Sequence, residues 1–253
     1  MLLVRATLQV YRDAGLDAVR ATARSAWALI LLLLLFPLLT VASLALSPLG
    51  VAGGFVVGLL NAACAGTYLA TLQDALDERR SLSLSAIRQN LGRYTFDVIG
   101  VAFPIWIASM IVGFLIPPAV SWIFPLAVGV VFNVAPEHIG RSRSAGVEVL
   151  RESAYWLKDN APEWFVPQLF LVIPLLAMRP SSAGTILSMF GPLFGFVNAG
   201  ALAIGAGAGP IGWAIGLALV AFVHATMLFR GALYQRLGRG GRRQRAWKAR
   251  LGE

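Results

Sequence analysis

Between Trp27 and Leu46 the chain reads WALILLLLLFPLLTVASLAL, twenty residues without a charge. A bilayer core is about 30 Å thick and needs roughly 20 apolar residues to cross as a helix. Several comparable runs follow, and 58% of the 253 residues are apolar against 13% charged. A water-soluble fold could not bury them all. The sequence therefore predicts a single all-α, polytopic membrane domain over 1–253 with no soluble module. By its length the run from Trp27 to Leu46 reads as a retained membrane helix and not as a secretory signal. The apolar core of such a signal is about 7–15 residues behind a short basic region, whereas this longer run follows a segment carrying Arg5, Arg12, Arg20 and Arg24.

Six transmembrane helices are expected, at 26–47, 50–71, 96–116, 119–135, 163–178 and 210–229. Ser47-Pro48, Pro117-Pro118 and charged segments separate them, because proline lacks an amide donor and disfavours helix in the residue before it. The apolar stretch 183–209 is decided by charge. The segment 230–253 is a basic tail carrying Arg230, Arg236, Arg239, Arg242, Arg243, Arg245, Lys248 and Arg250, and the N-terminal 1–25 is an Arg-bearing amphipathic segment. The positive-inside rule places both in the cytoplasm. Both ends inside requires an even number of crossings, so 183–209 is expected to be re-entrant or external, with a break at Gly191-Pro192. On this map only Arg179 of 21 basic residues falls outside, and all twelve acids are cytoplasmic or at that boundary. Nineteen of the basic residues are arginine, a compositional hint of a GC-rich bacterium, which makes the bacterial cytoplasmic (inner) membrane the expected location.

The stretch EVLRESAYWLKDNAPEWF, 148–165, stands out for its charge: Glu148, Arg151, Glu152, Lys158, Asp159 and Glu163. Residues 146–160 read as an interfacial amphipathic helix with Val147, Leu150, Ala154 and Leu157 as its apolar stripe and a solvated charged face. Asn160 then reads as the N-cap of the fifth span, with Glu163 near the positive end of that helix. The pentapeptide VEVLR at 147–151 has relatives in LDAVR at 16–20 and LSAIR at 84–88. In each, two aliphatics three positions apart are expected on one face, and a proline (Pro167, Pro37, Pro104) follows the Arg by sixteen or seventeen positions. The unit is an amphipathic interfacial helix plus a helical hairpin, repeated three times.

The series Gly146, Leu150, Ser153, Leu157, Asn160, following Pro136-Glu137, resembles uncharacterised six-span bacterial membrane families related to the membrane domain of glycerophosphoryl diester phosphodiesterases. The closing LYQRL, Leu233 to Leu237, is similar to their final segment. The resemblance implies a six-helix membrane domain without the catalytic module.

Motifs for phosphate loops, zinc proteases or Cys/His metal sites are absent from the sequence, so no cofactor or metal is expected. Cys64, inside an apolar run, reads as a small buried hydrophobe. His138, in PEHIG, reads as a surface histidine. Asn61, Asn133 and His224 fall within spans and are the candidate intramembrane polar site. Such residues either bond neighbouring helices or line a polar path. Gly50, Gly54, Gly58, Ala62 and Gly66 recur every four residues as a helix-packing ridge, internal or at a homo-oligomer face. The tail residues Arg236, Arg239, Arg242, Arg243, Arg245, Lys248 and Arg250 are expected to contact anionic lipid headgroups at about 1 kcal/mol each, with Trp247 as anchor. Nucleic acid is disfavoured as a partner, since the tail has no base-stacking array.

Three functions fit. The first is a non-enzymatic scaffold, assembly partner or envelope-homeostasis factor. The second is the permease subunit of an ABC-type exporter, with 72–95 and 137–162 as coupling helices for a separate ATPase. The third is an intramembrane enzyme, for which no serine or cysteine nucleophile shows a partner in the sequence.

Overall fold

A computed structural model describes residues 2–77, 83–117, 120, 123–141, 144–178 and 209–238. The described residues form nine α-helices and no strand. They are α1 (Leu2–Arg24), α2 (Ala26–Leu46), α3 (Gly50–Asp77), α4 (Leu84–Asn90), α5 (Thr95–Leu115), α6 (Ile123–Val131), α7 (Ala135–His138), α8 (Val147–Met178) and α9 (Pro210–Gly238). Three segments are long and apolar enough to cross a membrane: α2 and α3 taken together, α5, and α9. Leu34, Leu44, Phe114 and Leu115 are among the many large apolar side chains they expose, as expected for surfaces facing hydrocarbon.

The α2–α3 hairpin follows from its turn. Ser47–Leu49 forms one 3₁₀ turn with Pro48 near its start, where the missing amide costs nothing, and Gly50 then takes φ +56°. Leu32, Leu35 and Leu39 of α2 join Ala62, Ala65, Leu69 and Leu72 of α3 in the main apolar core. Val98 and Val101 of α5 and Val220, Val223 and Met227 of α9 complete it. α1 lies antiparallel along the C-terminal half of α9, burying Ala14, Ala18 and Ala21. Ser25 sits beside His224 at one end of this pair, and Asp13 and Asp17 sit beside Arg236 at the other.

The bundle is polarised. The ion pairs of the described residues all gather where α3 and α9 end and α5 and α8 begin. We call this the charged end. The opposite, bare end is built from the α2–α3 turn, the end of α5 and the start of α9, and carries no charged residue among those described.

Several sequence expectations are corrected. Helix α8 does not restart at Asn160 but runs unbroken through Pro162 and Pro167. The Asn160 amide donates to the Trp156 carbonyl one turn back, at 2.9 Å, instead of capping a new helix. The carbonyl that Pro167 cannot bond is that of Glu163, and it accepts instead from Tyr11 Oη at 3.0 Å. The buried stripe of α8 is Val149, Leu150, Ser153, Leu157, Asn160 and Trp164, whereas Val147 is 63% exposed. Glu148, Arg151, Lys158 and Asp159 do form a solvated face, but Glu163 is buried. In the three related pentapeptides the first aliphatic (Leu16, Leu84, Val147) is exposed, and Ile87 and Leu150 are buried where Val19 is not. The paired aliphatics therefore do not share one buried face. Helices α3 and α9 continue past the expected span ends, so Arg230 and Arg236 lie on a helix and not in a tail. Residues 183–208 and the tail positions Arg239, Arg242, Arg243, Arg245, Lys248 and Arg250 lie outside the described residues.

The small-residue ridge divides. A Cβ on Gly66 would come within 2.8 Å of the backbone of Tyr94 and Thr95, so α3 and α5 touch there. At Gly50, Gly54 and Gly58 it would meet nothing within 4 Å, while Ala62 is buried. Gly66→Ala is expected to destabilise the protein by about 1–3 kcal/mol through overpacking, and Gly58→Ala to leave it nearly unchanged. Thermal unfolding of both variants in detergent checks the contrast. Equal melting of the two would mean that the Gly66 crossing is not a fixed contact.

Candidate functional site: buried polar networks

The apolar faces of α7, α8 and α9 meet at the charged end around Val134, Leu157, Trp164, Leu233 and Leu237. Into this second core the helices carry one full ion pair. The Arg230 guanidinium donates from Nε to Glu137 Oε1 at 2.7 Å and from Nη2 to Oε2 at 3.2 Å. Nη2 also donates to the Asn133 carbonyl at 2.6 Å. The Asn133 side-chain oxygen accepts from Trp164 Nε1 at 2.9 Å, and the Trp164 ring lies 5.3 Å from the guanidinium carbon. Arg230 is 1% exposed, Glu137 6% and Trp164 0%. A charge so deeply buried is tolerable only when paired and bonded in this way. α7 supplies Glu137 because its single turn, with Pro136 in its first positions, follows directly on the Phe132–Val134 turn.

A second network joins the α1–α2 break to α3 and α9. Ser25 Oγ lies 2.9 Å from His224 Nε2, and Tyr68 Oη lies 2.8 Å from His224 Nδ1. A hydroxyl, an imidazole and a third group orienting the ring are the elements of an activated nucleophile. All three side chains are sealed: Ser25 and Tyr68 are 0% exposed and His224 1%. Ser25 Oγ also lies 3.3 Å from the Thr22 carbonyl, to which its proton can go. With Ser25 donating there, His224 Nε2–H donates to Ser25 and Tyr68 O–H donates to Nδ1. That chain satisfies every group and leaves no free base.

Around these two cores lies a wetter rim. Asn90 Nδ2 donates to Asp74 Oδ2 at 2.6 Å, Tyr94 Oη donates to Gln73 Oε1 at 2.8 Å, and Gly92 N–H donates to Thr67 Oγ1 at 2.9 Å. These bonds fasten α4 and the start of α5 to α3. Arg236 donates to Asp13 and Asp17 of α1, so it is engaged by protein carboxylates. His138 corrects the surface reading: it is 5% exposed, with its ring 5.0 Å from that of Tyr234 and 6.4 Å from that of Trp156. Burial lowers its pKa below the usual 6.5, with the charge of Glu152 acting in opposition.

The three expected polar residues do not converge. Asn133 belongs to the ion-pair network, His224 to the hydroxyl–imidazole chain, and Asn61 lines a groove between α3 and α5. Sequence reasoning missed Arg230, Glu137 and Trp164 in the first network and Ser25 and Tyr68 in the second. A signal existed for Arg230. Val220, Val223, Met227, Arg230 and Tyr234 follow helical spacing, so extending the buried stripe past residue 229 would have placed Arg230 on it. Cys64 is buried, as expected, and among the described residues no group of His, Cys, Asp and Glu could hold a metal. Comparison with protein-family models, characterised proteins and solved structures gives no match to this chain.

The sign of the His138 effect is fixed by its environment. Its folded pKa lies below the unfolded value of about 6.5, so the unfolded chain binds the extra proton first. The stability it contributes is complete above pH about 6.5 and is lost as pH falls toward the folded pKa. Melting in detergent from pH 8 to 5 is expected to fall less steeply for His138→Phe than for the parent. Parallel curves would show that His138 does not titrate in this range.

Proposed function

We propose that this chain is a non-enzymatic, multi-pass protein of the bacterial cytoplasmic membrane, serving as a scaffold or assembly partner in the envelope. The observation that carries the reading is the use made of its buried polar side chains. Arg230, Glu137, Asn133, Ser25, Tyr68 and His224 bond one another or backbone across helices and are sealed from solvent. That is how a bundle is held together in a medium where apolar surface gives helices little reason to associate. The proposed topology is six crossings with both termini cytoplasmic. It is supported by the polarity of the bundle, since the positive-inside rule assigns the arginine-bearing end to the cytoplasm. The proposed threefold repeat is supported in chain order by two of its copies, since LDAVR in α1 and LSAIR in α4 precede the proline-bearing helices α2 and α5, while VEVLR opens the proline-bearing α8 itself.

The Ser25–His224–Tyr68 geometry favours a second reading, an intramembrane hydrolase. The two are separated by treating the purified full chain with a fluorophosphonate, which phosphonylates activated serines. The non-enzymatic reading expects no adduct on Ser25 in the parent. An adduct on Ser25 that disappears in His224→Ala would overturn it.

A further inference from the structure

Helices α3 and α5 touch at Gly66, and toward the bare end they stand apart around a cavity of about 540 Å³. Gly54, Gly58 and Ala62 line one wall, and Val98, Ala102 and Trp106 line the other. Phe55 reaches across from α3 to Trp106 on α5, with ring centroids 6.3 Å apart and planes at 82°. The cavity begins beyond the Gly66 crossing, and the aromatic bridge spans it, since its lining continues one turn past Phe55 to Val51. Both walls belong to segments long and apolar enough to cross a membrane, so hydrocarbon is the medium at its mouth.

We infer that this groove binds a single acyl chain of a membrane lipid. Its size lies within the roughly 300–1,000 Å³ of small-molecule sites, and its lining is mainly apolar as in such sites. A helix about 10–12 Å across running along the glycine ridge would have to displace the Phe55–Trp106 bridge, whereas an acyl chain is slender enough to lie beneath it. The inference goes beyond the scaffold reading and does not depend on it.

The test uses the full chain in vesicles containing phosphatidylethanolamine with a diazirine on one acyl chain. After illumination, adducts are mapped to peptides. In the parent, labelling of 51–62 and 98–106 is expected to exceed that of the exposed face of α2 around Leu34 and Leu44 several-fold. Gly58→Leu and Gly54→Leu each place a side chain in open space. Each is expected to melt like the parent and to lose most of the groove labelling while keeping that on α2. Uniform labelling of groove and α2, or groove labelling unchanged in both leucine variants, would overturn the inference. So would efficient disulfide cross-linking of two copies through Gly58→Cys in the same vesicles, which would give the groove to a second copy of the chain.

Discussion

The buried pair between Arg230 and Glu137 is the constraint on which the arrangement of the charged end depends. It joins residues 93 positions apart, and the same guanidinium holds the Asn133 carbonyl while stacking on Trp164. One side chain of α9 therefore fixes α7, the turn before it and the middle of α8. Neither charge has an alternative partner at comparable burial among the described ion pairs, all of which are wetter. A pair of this kind contributes little net stability compared with apolar residues of the same shape. What it adds is a penalty for every arrangement in which the partners are apart, which selects one register of α9 against α7 and α8.

The His224 chain has a parallel role less than two turns earlier on the same helix. It fixes the break between α1 and α2 at Ser25 and ties it to α3 through Tyr68. With Gln235 donating to Asp77 and Arg236 holding Asp13 and Asp17 farther along, α9 carries a series of polar contacts to other helices on its C-terminal half. The bare end has no equivalent among the described residues. There α3 and α5 diverge, and the small residues that bring them together at Gly66 leave a groove at Gly54 and Gly58. Rigid polar fastening at one end and an open apolar cleft at the other are two properties of the same bundle.

How much of this was legible in the sequence depended on whether the deciding partner was local. The α2–α3 hairpin was readable because Ser47, Pro48 and Gly50 impose the turn themselves. The unbroken course of α8 was not. An asparagine followed by Pro162 reads as a helix start, yet the choice between capping and bonding the carbonyl one turn back is made by what packs around Asn160. The regular four-residue spacing of Gly54, Gly58, Ala62 and Gly66 likewise hid the different fates of its glycines, since of these only Gly66 is met by another helix. Arg230 reads as tail because charge after an apolar run ordinarily signals the membrane boundary. Its partner, Glu137, is visible in the sequence, but nothing local connects the two. His224, Asn61 and Asn133 were found because polar residues in apolar runs are conspicuous, while Ser25 and Tyr68 are ordinary at a boundary and in a helix.

Whether the Arg230–Glu137 pair is a closed structural clamp is tested most directly by a double-mutant cycle. Arg230→Met and Glu137→Leu are made singly and together, and unfolding free energies are measured in detergent. Each single change strands one buried charge and is expected to cost about 3–5 kcal/mol. The double variant should recover most of that loss, because an apolar pair of similar volume is about as stable as the ion pair it replaces. Single losses below about 1 kcal/mol, or a double loss equal to the sum of the singles, would show two independent, solvated charges and would contradict the clamp.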